Sequence, residues 1–239
     1  MLDTTGKILP DRYEMEYNGV AMRSFGIVLY DYPSFSGAKK NYSSTAVQGR
    51  IGQLVGETNY VSNLSIECEF TVIGEVFMER IRRIKLWLSG TGKIKFSDYP
   101  GSFFKVWKVE YGNIERELKT VGRFSVTFIC TPFEFLDIGQ HPVAGLLLYN
   151  DGSTARPVYN ISGNGDCVLT VNGKTMEATI GQNLTIDTER MLAYRTDGTL
   201  QNTAVTGDYE DLFLIPGENE ISITEGFSLS VIPQWGYDF

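Results

Sequence analysis

Between Leu64 and Val72 every second residue is apolar. Leu64, Ile66, Cys68, Phe70 and Val72 fall on one side, and Ser65, Glu67, Glu69 and Thr71 on the other. Successive side chains of a strand point to opposite faces, so this period fits a sheet with one buried and one wet face. The same alternation marks Tyr13, Met15 and Tyr17, and recurs over 103–111 and 123–130. Asn18-Gly19 follows the first of these strands. Both residue types tolerate positive φ, so the pair predicts a tight hairpin. Further strands are expected over Phe25–Tyr30 and Lys93–Phe96, and Thr131-Pro132-Phe133 reads as the end of the pattern. Residues 31–59 read as a long connection with little periodic signal. Such a length is unusual in a compact domain unless it is functional or ordered by a partner.

One helix interrupts the strands. Over Glu75–Ser89, Phe77, Ile81, Ile84 and Leu88 recur at spacings of 4, 3 and 4, with Trp87 widening the stripe. That places them on one helical face. Glu75 and Glu79 lie early and Arg80, Arg82, Arg83 and Lys85 late, as the helix dipole favours, and Gly90 supplies a stop.

The texture changes near residue 134. Short strands are expected at close spacing: Pro157–Ile161, Cys167–Val171, Thr175–Ile180, Leu184–Asp187, Met191–Arg195, Asp211–Ile215, Glu220–Thr224 and Phe227–Ile232, with Asn172-Gly173 as a second hairpin turn. Closely spaced strands without a helix indicate a β-sandwich. Charge shifts at the same place. Residues 1–133 carry 17 Lys/Arg and 14 Asp/Glu, a net of +3; residues 134–239 carry 4 and 15, a net of −11. The sequence therefore predicts two domains, 1–136 and 137–239, joined by a short linker between Pro132 and Pro142. The charge balance disfavours sequence-specific nucleic-acid binding.

Chemistry is hard to assemble from these residues. His141 is the only histidine, so no Ser/His/Asp or Cys/His set forms without it. Cys68, Cys130 and Cys167 are odd in number and widely spaced, and read as reduced, buried thiols. Gly90-Thr91-Gly92-Lys93 and Asn172-Gly173-Lys174-Thr175 lack the earlier glycine of a phosphate loop. The N-terminus shows no secretory pattern, and the longest apolar run, Val143–Tyr149, is too short to span a bilayer. No catalytic residue, cofactor or metal is expected. Asp208, Glu210 and Asp211 read as a solvated loop rather than a cation site. Among the scattered aromatic residues, Tyr194 and Tyr209 are the candidates for saccharide contact.

The ordered set Tyr17-Asn18-Gly19, Ser24-Phe25-Gly26, Gly49-Arg50-Ile51-Gly52, the helix ending Leu86-Trp87-Leu88, and Gly122-Arg123-Phe124 through Thr131-Pro132-Phe133 resembles the distal tail (Dit) proteins of siphophages. The second half continues the resemblance through Ala155-Arg156-Pro157, Val171-Asn172-Gly173 and Pro216-Gly217-Glu218-Asn219. It closes with Ile232-Pro233-Gln234-Trp235, where Gln234 and Gly236 replace the family's usual basic residues.

The resemblance implies a mainly β fold with one α-helix, in which an N-terminal ring-forming domain precedes a C-terminal galectin-like β-sandwich that projects outward. It also implies a non-enzymatic, hexameric hub at the virion tail tip, made in the cytoplasm of the bacterial host. Its partners would be itself, the tail tube protein, a tail-associated fibre or lysin protein, and receptor-binding proteins, with no membrane insertion. Arg50, in the Gly-Arg-x-Gly turn, and Arg80 and Arg83, on the charged helix face, are the candidate contacts with neighbouring subunits or partners. Two other readings compete: a carbohydrate-binding module for host cell-wall recognition, and a cell-wall hydrolase, for which no paired carboxylates can be singled out.

Overall fold

A computed structural model describes residues 13–37, 40–49, 51–73, 77–116 and 120–239; at 40–42, 54–55, 57–60 and 116 it describes the backbone only. By its contacts the chain divides into two compact units, one ending at Glu134 and including Phe239, the other Phe135–Asp238. The fold is mainly β, with one α-helix among the described residues.

The first unit contains β1 (Met15–Tyr17), β2 (Val20–Ala21), β3 (Ile27–Leu29), β4 (Ser34–Ser36), β5 (Lys40–Ala46), β6 (Gln53–Val61), β7 (Leu64–Ile73), α1 (Phe77–Trp87), β8 (Gly92–Phe96), β9 (Ser102–Arg116) and β10 (Val121–Leu136). Its main sheet runs in the order β2-β1-β8-β9-β10-β7-β3, with β4 also paired to β7. Tyr17 faces Val20 across Asn18 and Gly19, whose φ values of 51° and 78° are those of the expected two-residue turn. Leu64, Ile66, Cys68, Phe70 and Val72 are all fully buried, as their alternation requires. The helix lays Phe77, Ile81 and Ile84 into the same core. Burying each such side chain contributes roughly 1.5–3 kcal/mol.

Three expectations for this unit need correction. Residues 31–59 contain β4, β5 and β6 rather than a featureless connection. β5 and β6 form their own two-stranded sheet, and the described side chains at 43–49, 51–53, 56 and 61 are all exposed. A ribbon wet on both faces needs no apolar period, which is why the sequence hides it. Thr131-Pro132-Phe133 does not end a strand, because β10 runs on to Leu136. Its inward positions shift there from even numbers, up to Cys130, to the odd numbers Phe133 and Phe135. The expected linker is accordingly ordered: Phe133 and Phe135 are buried, and Asp137–Gln140 is a 3-10 turn around buried Gly139. Finally, Met22–Phe25 is a 3-10 turn, so the strand expected from Phe25 begins at Ile27.

The second unit continues with β11 (Leu147–Asn150), β12 (Val158–Val171), β13 (Lys174–Asp187), β14 (Leu192–Tyr194), β15 (Val205–Thr206), β16 (Gly217–Ile223), β17 (Ser228–Ile232) and β18 (Gly236–Asp238). β12 and β13 are each one 14-residue strand where four short strands were expected. They pair without a slip from Val158↔Asp187 to Val171↔Lys174. Ser162-Gly163-Asn164-Gly165-Asp166 looks like a loop in sequence, yet it stays in register opposite Gln182, itself at φ 97°. Both flanking strands pair with β12, β17 at residues 158–162 and β16 at residues 169–171. The core is a single cluster that includes Tyr159, Leu169, Met176, Ile186 and Leu214. The strand expected at Asp211–Ile215 is instead the 3-10 turn Tyr209–Leu212 followed by a bridge from Leu214 to Ala155.

Candidate assembly interface

The solvent face of α1 is less polar than a free helix needs. Opposite the buried stripe, Leu86 is 78% exposed and Met78 54%. Glu79 and Arg83, one turn apart, form an exposed ion pair at 2.8 Å beside them. Both partners are wet, so the pair contributes little to stability. The face is anchored from the sheet, where the Tyr111 hydroxyl donates to the Lys85 carbonyl at 2.9 Å and the Lys85 ammonium sits over the Tyr111 ring. The surface therefore combines exposed apolar side chains with exposed charges, the composition expected at the edge of a protein contact.

Arg80, a candidate contact residue in the sequence, lies half-buried and turned inward. Its Nη1 donates to the Ile73 carbonyl at 2.9 Å and reaches the Phe25 carbonyl at 3.5 Å. Gly26 lies against this guanidinium with φ 63°, and a Cβ there would fall 2.0 Å from Nη1. Arg80 thus ties the helix to the 3-10 turn, whereas Arg83 is left on the outside. Arg50 lies outside the described residues. Its turn sits at the tip of the β5–β6 ribbon, where Gly49 and Gly52 both hold φ of 85° and Ile51 is fully exposed. A lone two-stranded ribbon is at best marginally stable in water. The exposed Val47 and Ile51 near its tip make it a second candidate contact element.

The outer face of the main sheet carries Lys93 opposite Lys105, with Lys95 opposite Glu16. Trp107 is half-exposed, and the Lys93 ammonium lies 4.3 Å above the ring of buried Phe103.

In the second unit the two candidate tyrosines lie apart, each partly buried. Tyr194 lies half-buried in β14, its hydroxyl pKa raised by burial and then by Asp187. The Tyr209 hydroxyl is buried without a hydrogen-bond partner among the described residues, and burial raises its pKa. No ring contact joins the two. Asp211 pairs with Lys174, whose pKa that hydrogen bond raises. Among the described residues no group of His, Cys, Asp and Glu is placed to hold a metal ion, and no helix is long and apolar enough to cross a membrane. His141 is exposed. Gln234 is buried with φ 54°, its side-chain amide donating to the Arg156 carbonyl at 2.8 Å. The position that departs from the Dit pattern therefore serves a local structural role.

No protein-family model matches the chain, and no curated protein does. Among solved structures, its backbone is similar to that of the phage SPP1 Dit protein (gp 19.1), described as a paradigm of the hub adsorption apparatus in phages infecting Gram-positive bacteria. The TM-score is 0.67 at 14% identity, covering 92% of this chain and 98% of that one. The chain therefore has the fold of a phage Dit protein, as the sequence motifs led us to expect.

Proposed function

We propose that the chain is a structural, non-enzymatic component of a long-tailed phage: a hexameric hub that joins the tail tube to the tail-associated fibre or lysin protein and supports adsorption and DNA passage. The observation that carries this reading is the shared fold with the SPP1 hub protein over nearly the full length of both chains. Exposed apolar residues on α1 and on the β5–β6 ribbon give the first unit the surfaces a ring requires. The near-neutral charge of residues 1–133 lets copies approach, whereas residues 134–239, at −11, repel their own kind. The second unit, read as a galectin-like sandwich, is left to carry further partners such as receptor-binding proteins.

The test uses the full chain, because Phe239 packs with Phe35 and Phe104 and would be lost on cutting near residue 136. Light scattering over a concentration series should find a species of six times 26.8 kDa, with rings in electron micrographs. Leu86→Glu and Ile51→Glu should return it to monomer with the fold intact. A chain that stays monomeric at the highest concentration, or rings indifferent to both changes, would sink the reading.

A further inference from the structure

β11 is the terminal strand of its sheet and pairs only with β16. The Ile221 N–H donates to the Leu146 carbonyl at 2.6 Å. In an antiparallel pair, residues alternate between bonding to the partner and pointing away from it. Leu146, Leu148 and Asn150 therefore bond towards β16, and the N–H and C=O of Leu147 and Tyr149 point to the open side. No described strand meets them.

Natural sheets protect such an edge with charge, proline or a cover. Here the edge side chains are apolar: Leu146 is 57% exposed, Leu147 66% and Tyr149 68%. Leu147 and Tyr149 lie on the outer face, and their cross-strand neighbours on β16 are Glu220 and Glu218. Both glutamates are exposed, and neither has an ion-pair partner among the described residues. On the inner face Leu148 packs against the core cluster. An open hydrogen-bonding edge, an apolar strip and a row of carboxylates behind it therefore coincide.

We propose that β11 is a docking edge that accepts an extended segment of a partner protein as an added strand, with arginine or lysine alternating with apolar residues. The added main chain completes the hydrogen bonds of Leu147 and Tyr149. Its basic side chains lie over those two residues, stems on the apolar strip, and their charged ends reach Glu218 and Glu220. An arginine above Tyr149 adds a cation–π contact. The alternate apolar side chains extend the inner face beyond Leu148. A second copy of this chain is the poorer occupant, since residues 134–239 of each copy carry a net charge of −11 and would repel one another. This inference does not depend on the tail reading.

The test is fluorescence anisotropy of the full chain with a labelled Arg-Val-Arg-Val-Arg-Val-Arg peptide. Saturable binding is expected, weakened about tenfold or more by Glu218→Lys with Glu220→Lys and by Leu147→Pro, each change removing on the order of one tenfold step in affinity. The proline removes only an outward-pointing N–H and is tolerated at a sheet edge, so thermal unfolding should be unchanged. Absence of saturable binding would overturn the proposal. So would equal binding of a peptide with the arginines and valines in separate blocks, or indifference to both variants. Concentration-dependent dimerisation without peptide, abolished by Leu147→Pro, would assign the edge to a second copy and also overturn it.

Discussion

The indole N–H of Trp87 donates to the carbonyl of Tyr17 at 3.1 Å, joining the end of the only described helix to the strand just before the Asn18-Gly19 turn. The Trp87 ring stacks on Phe25 at 4.5 Å, and the Tyr17 hydroxyl donates to the Gly90 carbonyl at 2.9 Å. Trp87→Phe keeps the stacking and removes the donor. It should cost about 1 kcal/mol, read as a lower urea midpoint at unchanged slope.

The helix offers a sharper contrast between its two faces. Ile84 is buried and Leu86, two residues on, is 78% exposed. Ile84→Ala should cost roughly 2–5 kcal/mol. Leu86→Ala should change monomer stability by no more than about 0.5 kcal/mol, while weakening the proposed ring. Equal effects of the two changes in denaturation would show the helix to be packed the other way round.

Gly26 and Arg80 should behave as a coupled pair. Gly26→Ala forces a Cβ into a left-handed conformation against the guanidinium, and the backbone conformation alone costs about 1–2 kcal/mol. Arg80→Ala opens that space, so the double variant should be less destabilised than the sum of the singles. Strict additivity in a double-mutant cycle would mean that the two do not touch.

High pH should unfold the protein through its buried acids. Burial pushes the Cys130 thiol up to about 12 from an ordinary 9.0, and raises Cys68 well above its usual value. The hydroxyl of Tyr159 is raised by burial, and that of Tyr13 by burial and then by its bond to Asp98. The unfolded chain releases these protons first, so their contribution is complete below about pH 9 and is lost as pH climbs towards 12. A urea midpoint that falls steadily above pH 9 is expected. Thiol reagents at pH 8 should leave Cys68 and Cys130 unmodified until denaturant is added, and rapid labelling of the native chain would contradict their burial.

What could be read from the sequence was whatever has a period. The Leu64–Val72 alternation, the Phe77–Leu88 stripe and both Asn-Gly turns lie where expected, because burial on one face leaves a regular trace. The β5–β6 ribbon leaves none, being wet on both sides. The continuity of β12 was hidden for the opposite reason: Gly163 and Gly165 are the residues of a loop, yet here they sit within a strand held in register by β13. Side-chain direction was the least legible. Arg80 looked like a surface cation and binds two carbonyls of its own chain; Tyr209 looked available and has its hydroxyl buried. The open edge at Leu147 and Tyr149 has no motif at all, since it depends on which strands do not meet.

The pairing of β1 with β8 joins residues about eighty positions apart, Met15 to Phe96, whereas β12 and β13 meet across a two-residue turn. Non-local contacts form late and local ones early. On the ribosome, the first sheet must therefore wait, its apolar strands uncovered, until β8, β9 and β10 have been synthesised. The β12–β13 hairpin, although made later, can close almost as soon as it emerges. The half of the chain translated first is thus the half exposed longest to misassociation, and slow elongation through residues 64–130 is where a cell producing this protein should lose most of it to aggregates.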